Sequence, residues 1–182
     1  MVGANVVRWL AIVAVSLSSL ILGSRQAFAG APEVIVNPVR VTVPAIGVDA
    51  SVQDVGLADD GSMGVPVGFS DVAYYTLGFA PGQDGYAAFT GHISSTEFPG
   101  VFYNIDELAP GNTVHIFGED GSELVFIVQD VETYDADDFP TSKIFAPRST
   151  PGLVLITCTG DWDPVAHLFA DRVVVYADLA SS

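Results

Sequence analysis

The amino-acid sequence predicts a single all-β domain, a closed barrel or a sandwich of seven or eight short strands. Three observations predict it. Beyond residue 30 the chain consists of short apolar or alternating runs, turns rich in glycine and proline separate these runs, and no internal repeat interrupts them. With 49% hydrophobic residues the chain is too apolar to be disordered, and its 182 residues suffice to bury a core without a disulfide or a metal.

The predicted strands are segments in which polar and apolar residues alternate or β-branched residues cluster. The continuous apolar run at 153–157 fits a fully buried strand, and the turn at 118–121 predicts a hairpin between its flanking strands. The best helix candidate is 99–108, which Pro110 and Gly111 stop. The seven predicted strands are 39–43, 48–55, 86–90, 113–117, 124–131, 153–157 and 172–176.

Residues 1–29 are predicted to be an export segment, either a signal peptide or a signal-anchor. Arg8 precedes an apolar run at 9–22, and Arg25 and the small-x-small triplet at 27–29 follow it. Because this run is shorter than the ~20 residues that span a bilayer comfortably, the sequence favours cleavage. We expect residues 30–37 to form a stalk or arm and residues 38–182 to form the folded domain, located outside the cytoplasm at the cell surface, membrane-anchored or secreted.

Charge and cysteine content exclude several classes of function. Six Lys and Arg residues against 22 Asp and Glu residues give a net charge of −16, which is the wrong sign for binding a nucleic-acid backbone. Removal of residues 1–29 takes away two arginines and leaves a net charge of −18. We interpret this charge as that of a solvated acidic surface. The single cysteine excludes an internal disulfide and a zinc site built from several cysteines.

Cys158 is the most informative residue, because it ends the predicted strand 153–157 and opens into a Thr-Gly-Asp segment. A strand end holds a reactive group rigidly while the following loop admits substrate. An unpaired thiol is also unusual in an exported protein, since it oxidises or cross-links. These arguments leave two interpretations equally open, a catalytic thiol and a buried structural cysteine.

A nucleophilic thiol needs a base or a cation beside it, and the chain offers three histidines. His115 alternates with apolar neighbours in a predicted strand and is therefore expected at the surface. His167 follows Cys158 in a loop that no strand fixes. His92 comes after the predicted strand 86–90, at a strand end like Cys158, and is the preferred base.

Arg172 is the candidate for stabilising an oxyanion, the charge that forms when a thiolate attacks a carbonyl. It is one of four basic residues beyond residue 29, and it begins the last apolar strand. The alternative is that Arg172 is a solubilising charge at a strand end or a partner for Asp171.

Taken together, three short segments resemble the sortase family, the cysteine transpeptidases of bacterial cell surfaces. They occur in the family's order of His, Cys and Arg, and 44–48 is similar to the family's first-strand motif. The resemblance spans roughly residues 38–178, departs from the usual Thr-Leu-x-Thr-Cys at Val154, and is strongest to class F, with class E or D next. The segments are Thr90-Gly91-His92, Leu155-Ile156-Thr157-Cys158 and Asp171-Arg172-Val173-Val174-Val175.

The resemblance implies a closed eight-stranded β-barrel with one or two short helices and an active site in a groove at strand ends. It implies that Cys158 attacks the threonine carbonyl of an LPxTG-like sorting signal, that His92 is the general acid and base, and that Arg172 holds the substrate and the oxyanion. Thr157 and Thr90 are expected to bind substrate. The resulting thioester would be resolved by an amine from a peptidoglycan precursor or a pilin.

Some sortases use Ca²⁺ near the loop between the sixth and seventh strands, where this chain has an acidic cluster. The spacing of the cluster lacks the central glycine and terminal glutamate of an EF-hand loop. We therefore favour a solvated acidic loop and expect no cofactor and no metal, with Ca²⁺ as the alternative. The cluster consists of Glu132, Asp135, Asp137 and Asp138.

Two alternatives to a transpeptidase are weighed. Another exported cysteine hydrolase would need a different motif, such as His-Gly-Cys or Gly-x-Cys-Gly, and papain-like enzymes place Cys before His, the reverse of the order here. The second alternative is a non-enzymatic exported β-domain, an adhesin or binding module, in which Cys158 is buried and inert.

Overall fold

Eight strands close into one barrel within the residues that the computed structural model describes, which are 33–95, 97–165 and 168–181. Neighbours around the barrel follow the order β1-β2-β3-β4-β7-β8-β6-β5. The closed barrel is thus confirmed against the sandwich. The strands are β1 Pro38–Val43, β2 Val48–Val55, β3 Val72–Tyr75, β4 Gly85–Gly91, β5 Thr113–Gly118, β6 Glu123–Asp135, β7 Pro151–Asp163 and β8 Leu168–Leu179.

Two of the strand pairings are parallel and the others are antiparallel. β2 pairs with β3 and β4 pairs with β7 in parallel, so each of these pairs needs a crossover connection. The β5–β6 hairpin is the one predicted from 118–121, and β1 closes the barrel by pairing with both β2 and β5. The parallel β4–β7 pair lies at the part of the barrel that carries the candidate site.

Side chains alternate between the barrel interior and its outer surface, as the period of two in a strand requires. The interior is filled by a large apolar cluster that includes Phe89, Phe126, Leu155 and Val175. A second cluster forms on the outside of β4, β7 and β8. Its buried members are Ala88, Ile144, Val154, Ile156, Val174 and Tyr176.

A short helix covers this outer cluster. Helix α1, Thr141–Phe145, buries Ile144 against it, and Lys143 Nζ donates a hydrogen bond to Glu132 at 2.9 Å while lying 4.1 Å above the Tyr176 ring. The outer face of the sheet is therefore apolar and covered near α1. This makes the β4–β7–β8 sheet buried on both faces, in agreement with the continuous apolar run predicted for β7.

The structure corrects several local predictions. The helix predicted at 99–108 is wrong, because that segment holds a single 3-10 turn, Ile105–Glu107, which anchors the loop through buried Ile105. The sequence patterns do not indicate α1 or β3, because α1 has five residues and the β3 segment is short, buried and without alternation. Two further 3-10 turns are Pro44–Ile46 and Ala136–Asp138.

The N-terminal segment of the chain is described from Glu33 onward. The predicted export segment 1–29 lies outside the described residues. Within the predicted stalk, Ile35 is 2% exposed, and its backbone N–H donates to the Pro81 carbonyl at 2.9 Å. No helix within the described residues is long and apolar enough to cross a membrane.

Candidate active site

Three neighbouring strands position the three predicted catalytic residues at one level of the barrel, with His92 directly after β4. Thr90 of β4 pairs with Ile156 of β7, and Ile156 pairs with Val174 of β8. Two residues beyond this row, β7 reaches Cys158, which pairs with Arg172 of β8. Because β4 runs parallel to β7, two residues further along the chain from Thr90 lead to His92, at the level of Cys158. The register therefore brings the predicted Cys, His and Arg to one level, where β4 ends and β7 and β8 continue.

Alternation also fixes the face on which these residues lie. Val154 and Ile156 belong to the outer cluster, so Cys158, two residues further on, lies on the same outer face. Val174 and Tyr176 likewise place Arg172 outside. The candidate site is thus on the barrel's outer surface beside the apolar cluster, and the barrel interior remains a packed core.

Cys158 lies within a strand, and this corrects the prediction that it ends one. β7 continues to Asp163 and pairs with β8 as a hairpin that extends past the barrel, with a register shift between Thr159 and Trp162. Gly160, with φ of +80°, lies in this irregular stretch. The apolar run predicts the strand only as far as the core reaches, because the extension lies outside the core and contains a single large apolar residue, the exposed Trp162.

The Cys158 thiol is free and partly exposed. Burial raises its pKa above the usual value, and the positive charge of Arg172 opposes this by lowering it. Because burial is the larger of the two effects, the thiol form is favoured at neutral pH. A partner that accepts or supplies a proton is therefore needed for nucleophilic attack and for release of the product.

Arg172 is bound differently from the other basic residues of the domain. Its Nη1 donates to the backbone carbonyls of Phe169 at 2.9 Å and Asp171 at 2.8 Å. Because carbonyls orient a guanidinium without neutralising it, its charge stays available to the neighbouring thiol. The three other basic side chains of the described domain form ion pairs with carboxylates: Arg40 with Asp49, Lys143 with Glu132, and Arg148 with Asp178.

His92 is held by backbone and ring contacts. Its Nε2 lies 2.8 Å from the Pro66 carbonyl oxygen, and its ring centroid lies 4.5 Å from that of Phe69. A carbonyl oxygen can only accept, so Nε2 must carry a proton in this arrangement. Nδ1 is then the ring nitrogen that takes up or releases a further proton.

The two predicted substrate-binding threonines make internal hydrogen bonds. The buried Thr157 hydroxyl donates to the Gly91 carbonyl at 2.8 Å, which ties β7 to the residue before His92. The Thr90 hydroxyl donates to the Gly64 carbonyl at 3.2 Å and thus holds the loop after β2. Both contacts position the backbone around His92.

The segment after His92 packs closely against it. The Phe102 N–H donates to the His92 carbonyl at 3.0 Å, and a Cβ placed on Gly100 would lie 2.2 Å from the same oxygen. A residue larger than glycine at position 100 would therefore displace the His92 backbone.

The remaining histidines and the acidic cluster do not join this site. His115 is partly exposed and its Nδ1 contacts Glu123 at 2.7 Å on β5–β6, which confirms the surface position, while His167 lies outside the described residues. Glu132 is bound by Lys143 and Tyr134, whose hydrogen bonds hold its pKa below the usual range. Within the described residues, no group of three or more His, Cys, Asp or Glu side chains could hold a metal ion.

Comparison with known proteins decides the family. A model of the Sortase domain family matches residues 41–180. The chain belongs to the sortase family. A search of the curated proteins finds no match. Sortases are cysteine transpeptidases. Membership of this family therefore excludes the two alternatives, a non-enzymatic β-domain and another cysteine hydrolase.

Solved sortase structures share the fold at low identity. Sortase D5 of Clostridium perfringens is 20% identical with a TM-score of 0.60, covering 80% of this chain and 79% of that chain. Sortase C-1 of Actinomyces oris is 19% identical with a TM-score of 0.59, covering 79% and 72%. A lid mutant of sortase A from Corynebacterium diphtheriae is 17% identical with a TM-score of 0.60, covering 83% and 72%. Assignment to class F, E or D stays a prediction.

The pH dependence of Cys158 reactivity tests the electrostatics of this sortase site. Burial raises the thiol pKa, so the rate of alkylation by iodoacetamide should rise through a midpoint above that of a free cysteine. Arg172→Met should move this midpoint further upward, because Arg172 lowers the pKa. The measurement is the alkylation rate against pH, followed by intact mass. Arg40→Met, on β1 away from β7, is the matched control and should leave the midpoint in place; an unmoved midpoint in Arg172→Met would contradict the assignment.

Substitution of Gly100 tests the close packing behind His92. Gly100→Ala should lower the free energy of unfolding by about 1–3 kcal/mol, because the added Cβ overlaps the His92 carbonyl. Gly56→Ala is the control, since a Cβ there meets Leu77 at an ordinary 4.0 Å. Urea unfolding of both variants gives the comparison, and equal stability of the two would show that the segment relaxes freely.

Proposed function

We propose that this sortase cleaves an LPxTG-like sorting signal between threonine and glycine and transfers the acyl group to an amine. The observation that carries the proposal is the strand register, in which His92 directly after β4 lies level with Cys158 of β7 and Arg172 of β8. A thiol, an imidazole and a guanidinium at one level supply a nucleophile, a proton carrier and an anion-binding group.

In the first half-reaction, the Cys158 sulfur attacks the threonine carbonyl carbon as its proton passes to His92. The carbonyl oxygen becomes an oxyanion, and the Arg172 guanidinium stabilises it. When the tetrahedral intermediate collapses, the bond to glycine breaks and protonated His92 gives its proton to the leaving amine. The products are a thioester on Cys158 and a free glycine amine.

In the second half-reaction, an incoming amine attacks the thioester carbonyl. His92 removes a proton from the amine and passes it to the Cys158 sulfur, which departs as a thiol as the carbon–sulfur bond breaks and the new amide bond forms. The chemical class of the nucleophile is a primary amine, supplied by a peptidoglycan precursor or by a pilin lysine. The Arg172 guanidinium stabilises the oxyanion of the second half-reaction as it does that of the first.

Apolar side chains at the edge of the outer cluster support the choice of substrate. Met63 packs against the cluster and is only partly buried, and Val65, next to the Gly64 carbonyl that accepts from Thr90, is 55% exposed. A peptide with apolar leucine and proline residues ahead of its threonine would gain burial on this surface. Thr90 and Thr157 are proposed to contribute to substrate binding by fixing the backbone that borders this surface.

The proposed location of the enzyme is the outer side of the cell membrane. The export pattern of residues 1–29 supports this, whether the segment is cleaved or retained as an anchor. The −18 charge beyond residue 29 keeps the surface strongly hydrated, and it excludes a nucleic-acid partner. The enzyme's partners are accordingly a surface-protein sorting signal and an amine acceptor.

Trapping of the thioester tests the proposal directly. The chain is incubated with LPxTG and LAxTG peptides and with amines, and mass spectrometry detects the acyl group on Cys158. Cys158→Ala should lower product formation by at least about 10³-fold, because the nucleophile is lost.

Ser51→Ala is the control for this experiment. Ser51 is exposed on β2, and its substitution likewise removes a single side-chain heavy atom without touching the site. Product formation that persists in Cys158→Ala, or an acyl group found on another residue, would refute the proposed chemistry.

A further inference from the structure

The loop that follows β2 lies against the candidate general acid and base. Residues 66–71, here called the 66–71 loop, supply both contacts to the His92 ring: the Pro66 carbonyl at 2.8 Å and the Phe69 ring at 4.5 Å between centroids. The two rings meet at 36°. The tautomer and the orientation of His92 therefore depend on where this loop lies.

One side chain holds the loop at both ends. Gln53, partly buried on β2, accepts a hydrogen bond from the Val67 N–H at 3.1 Å through Oε1, and donates from Nε2 to Asp71 Oδ2 at 2.6 Å. Asp71 in turn closes the loop, since its N–H donates to the Gly68 carbonyl at 3.4 Å. The amide of Gln53 thus bridges the chain just after Pro66 and just after Phe69.

The loop has little else to keep it in place. Val67 is 91% exposed and Phe69 is 44% exposed, so apolar burial contributes little to the position of the loop. A cavity of about 330 Å³ lies beside Phe69, lined also by Ile46, Val101 and Tyr103, and it offers the ring space to leave His92. A hydrogen bond from the Val101 N–H to the Phe69 carbonyl at 2.8 Å adds one tie on that side.

We propose that Gln53 is a positioning residue for His92, which it serves by holding the 66–71 loop so that Pro66 fixes the Nε2–H tautomer and Phe69 fixes the ring plane. The inference rests on the proposed role of His92 as proton carrier. Gln53 lies on β2, whose barrel neighbours are β1 and β3, so it acts without contact to the reacting groups. Fixing the tautomer leaves Nδ1 as the nitrogen that exchanges the catalytic proton.

A pair of variants in the full-length chain, one disruptive and one compensating, tests the inference. Gln53→Glu retains the acceptor for Val67 but places a carboxylate against Asp71, so the loop should lose one tie. We expect kcat to fall about tenfold with KM nearly unchanged, as for a misplaced catalytic group. The double variant Gln53→Glu with Asp71→Asn should restore kcat, because the amide introduced at position 71 can then donate to the carboxylate introduced at position 53.

The ring itself provides a readout that does not depend on substrate. In the ¹⁵N NMR spectrum, neutral His92 should be the Nε2–H tautomer in the parent chain, a mixture in Gln53→Glu, and Nε2–H again in the double variant. Signals are assigned with His92→Gln. Gln129→Glu is the matched control, because Gln129 is exposed on β6 and donates to the Ile127 carbonyl, so neither kcat nor the tautomer should change.

A second variant tests the role of the loop in case Gln53→Glu does not fold. Phe69→Ala, on the exposed loop, should also mix the tautomers, because a ring that is free to turn takes Nε2 away from the Pro66 carbonyl, and Phe69→Tyr should keep the parent spectrum. The inference is overturned if kcat falls while the tautomer stays the same, if Gln53→Glu behaves as the parent, or if the double variant remains as slow as the single one.

Failure of the proposed chemistry would look different from failure of the loop inference. In the former case the parent chain forms no thioester on Cys158, or His92→Gln remains active. In the latter the parent forms the thioester and His92→Gln is inactive, while the Gln53 variants leave the ring and the rate untouched.

Discussion

The hydrogen bond from the buried Thr157 hydroxyl to the Gly91 carbonyl joins the two strands on which the site depends. β4 and β7 are parallel, so their carboxyl ends reach the same rim, and His92 follows one while Cys158 belongs to the other. The antiparallel β7–β8 pairing then sets Arg172 opposite Cys158. A slip of one residue in either pairing would turn one of these side chains to the opposite face of the sheet. The chemistry is consequently specified by strand register.

This arrangement separates stability from chemistry by using the two faces of one sheet. Inward residues such as Phe89 and Leu155 fill the barrel, whereas the residues next to them on the outer face build the apolar surface that ends at Cys158. The outer cluster is itself covered, and Cys158 lies partly exposed at its edge. This position can therefore raise the pKa of the thiol by burial and still leave the sulfur accessible, which a cysteine inside the barrel would not be.

Much of this could be predicted from the sequence, because its strongest signals are those of the core. Seven of the eight strands follow from alternation and β-branched runs, and the eight-stranded barrel follows from the resemblance. What could not be predicted has physical causes: β3 is a four-residue buried segment without alternation, and β7 continues past Cys158 through exposed residues held by pairing with β8. Likewise, Gln53 and Phe69 carry no local motif, since their contacts to the 66–71 loop and to His92 arise from tertiary folding.

The surroundings of Cys158 keep its resting sulfur as a thiol. A cysteine held as a thiolate by strong positive charge would be reactive toward oxidants as well as substrate, and this chain has no second cysteine with which to form a resolving disulfide. Burial instead favours the thiol, and the positive charge of Arg172 offsets that only in part, since burial is the larger effect on the pKa. In the proposed mechanism, nucleophilic attack then requires proton transfer to His92 at the moment a substrate carbonyl is present. In the oxidising surroundings outside the membrane that we propose for this enzyme, such coupling would protect the sulfur between turnovers.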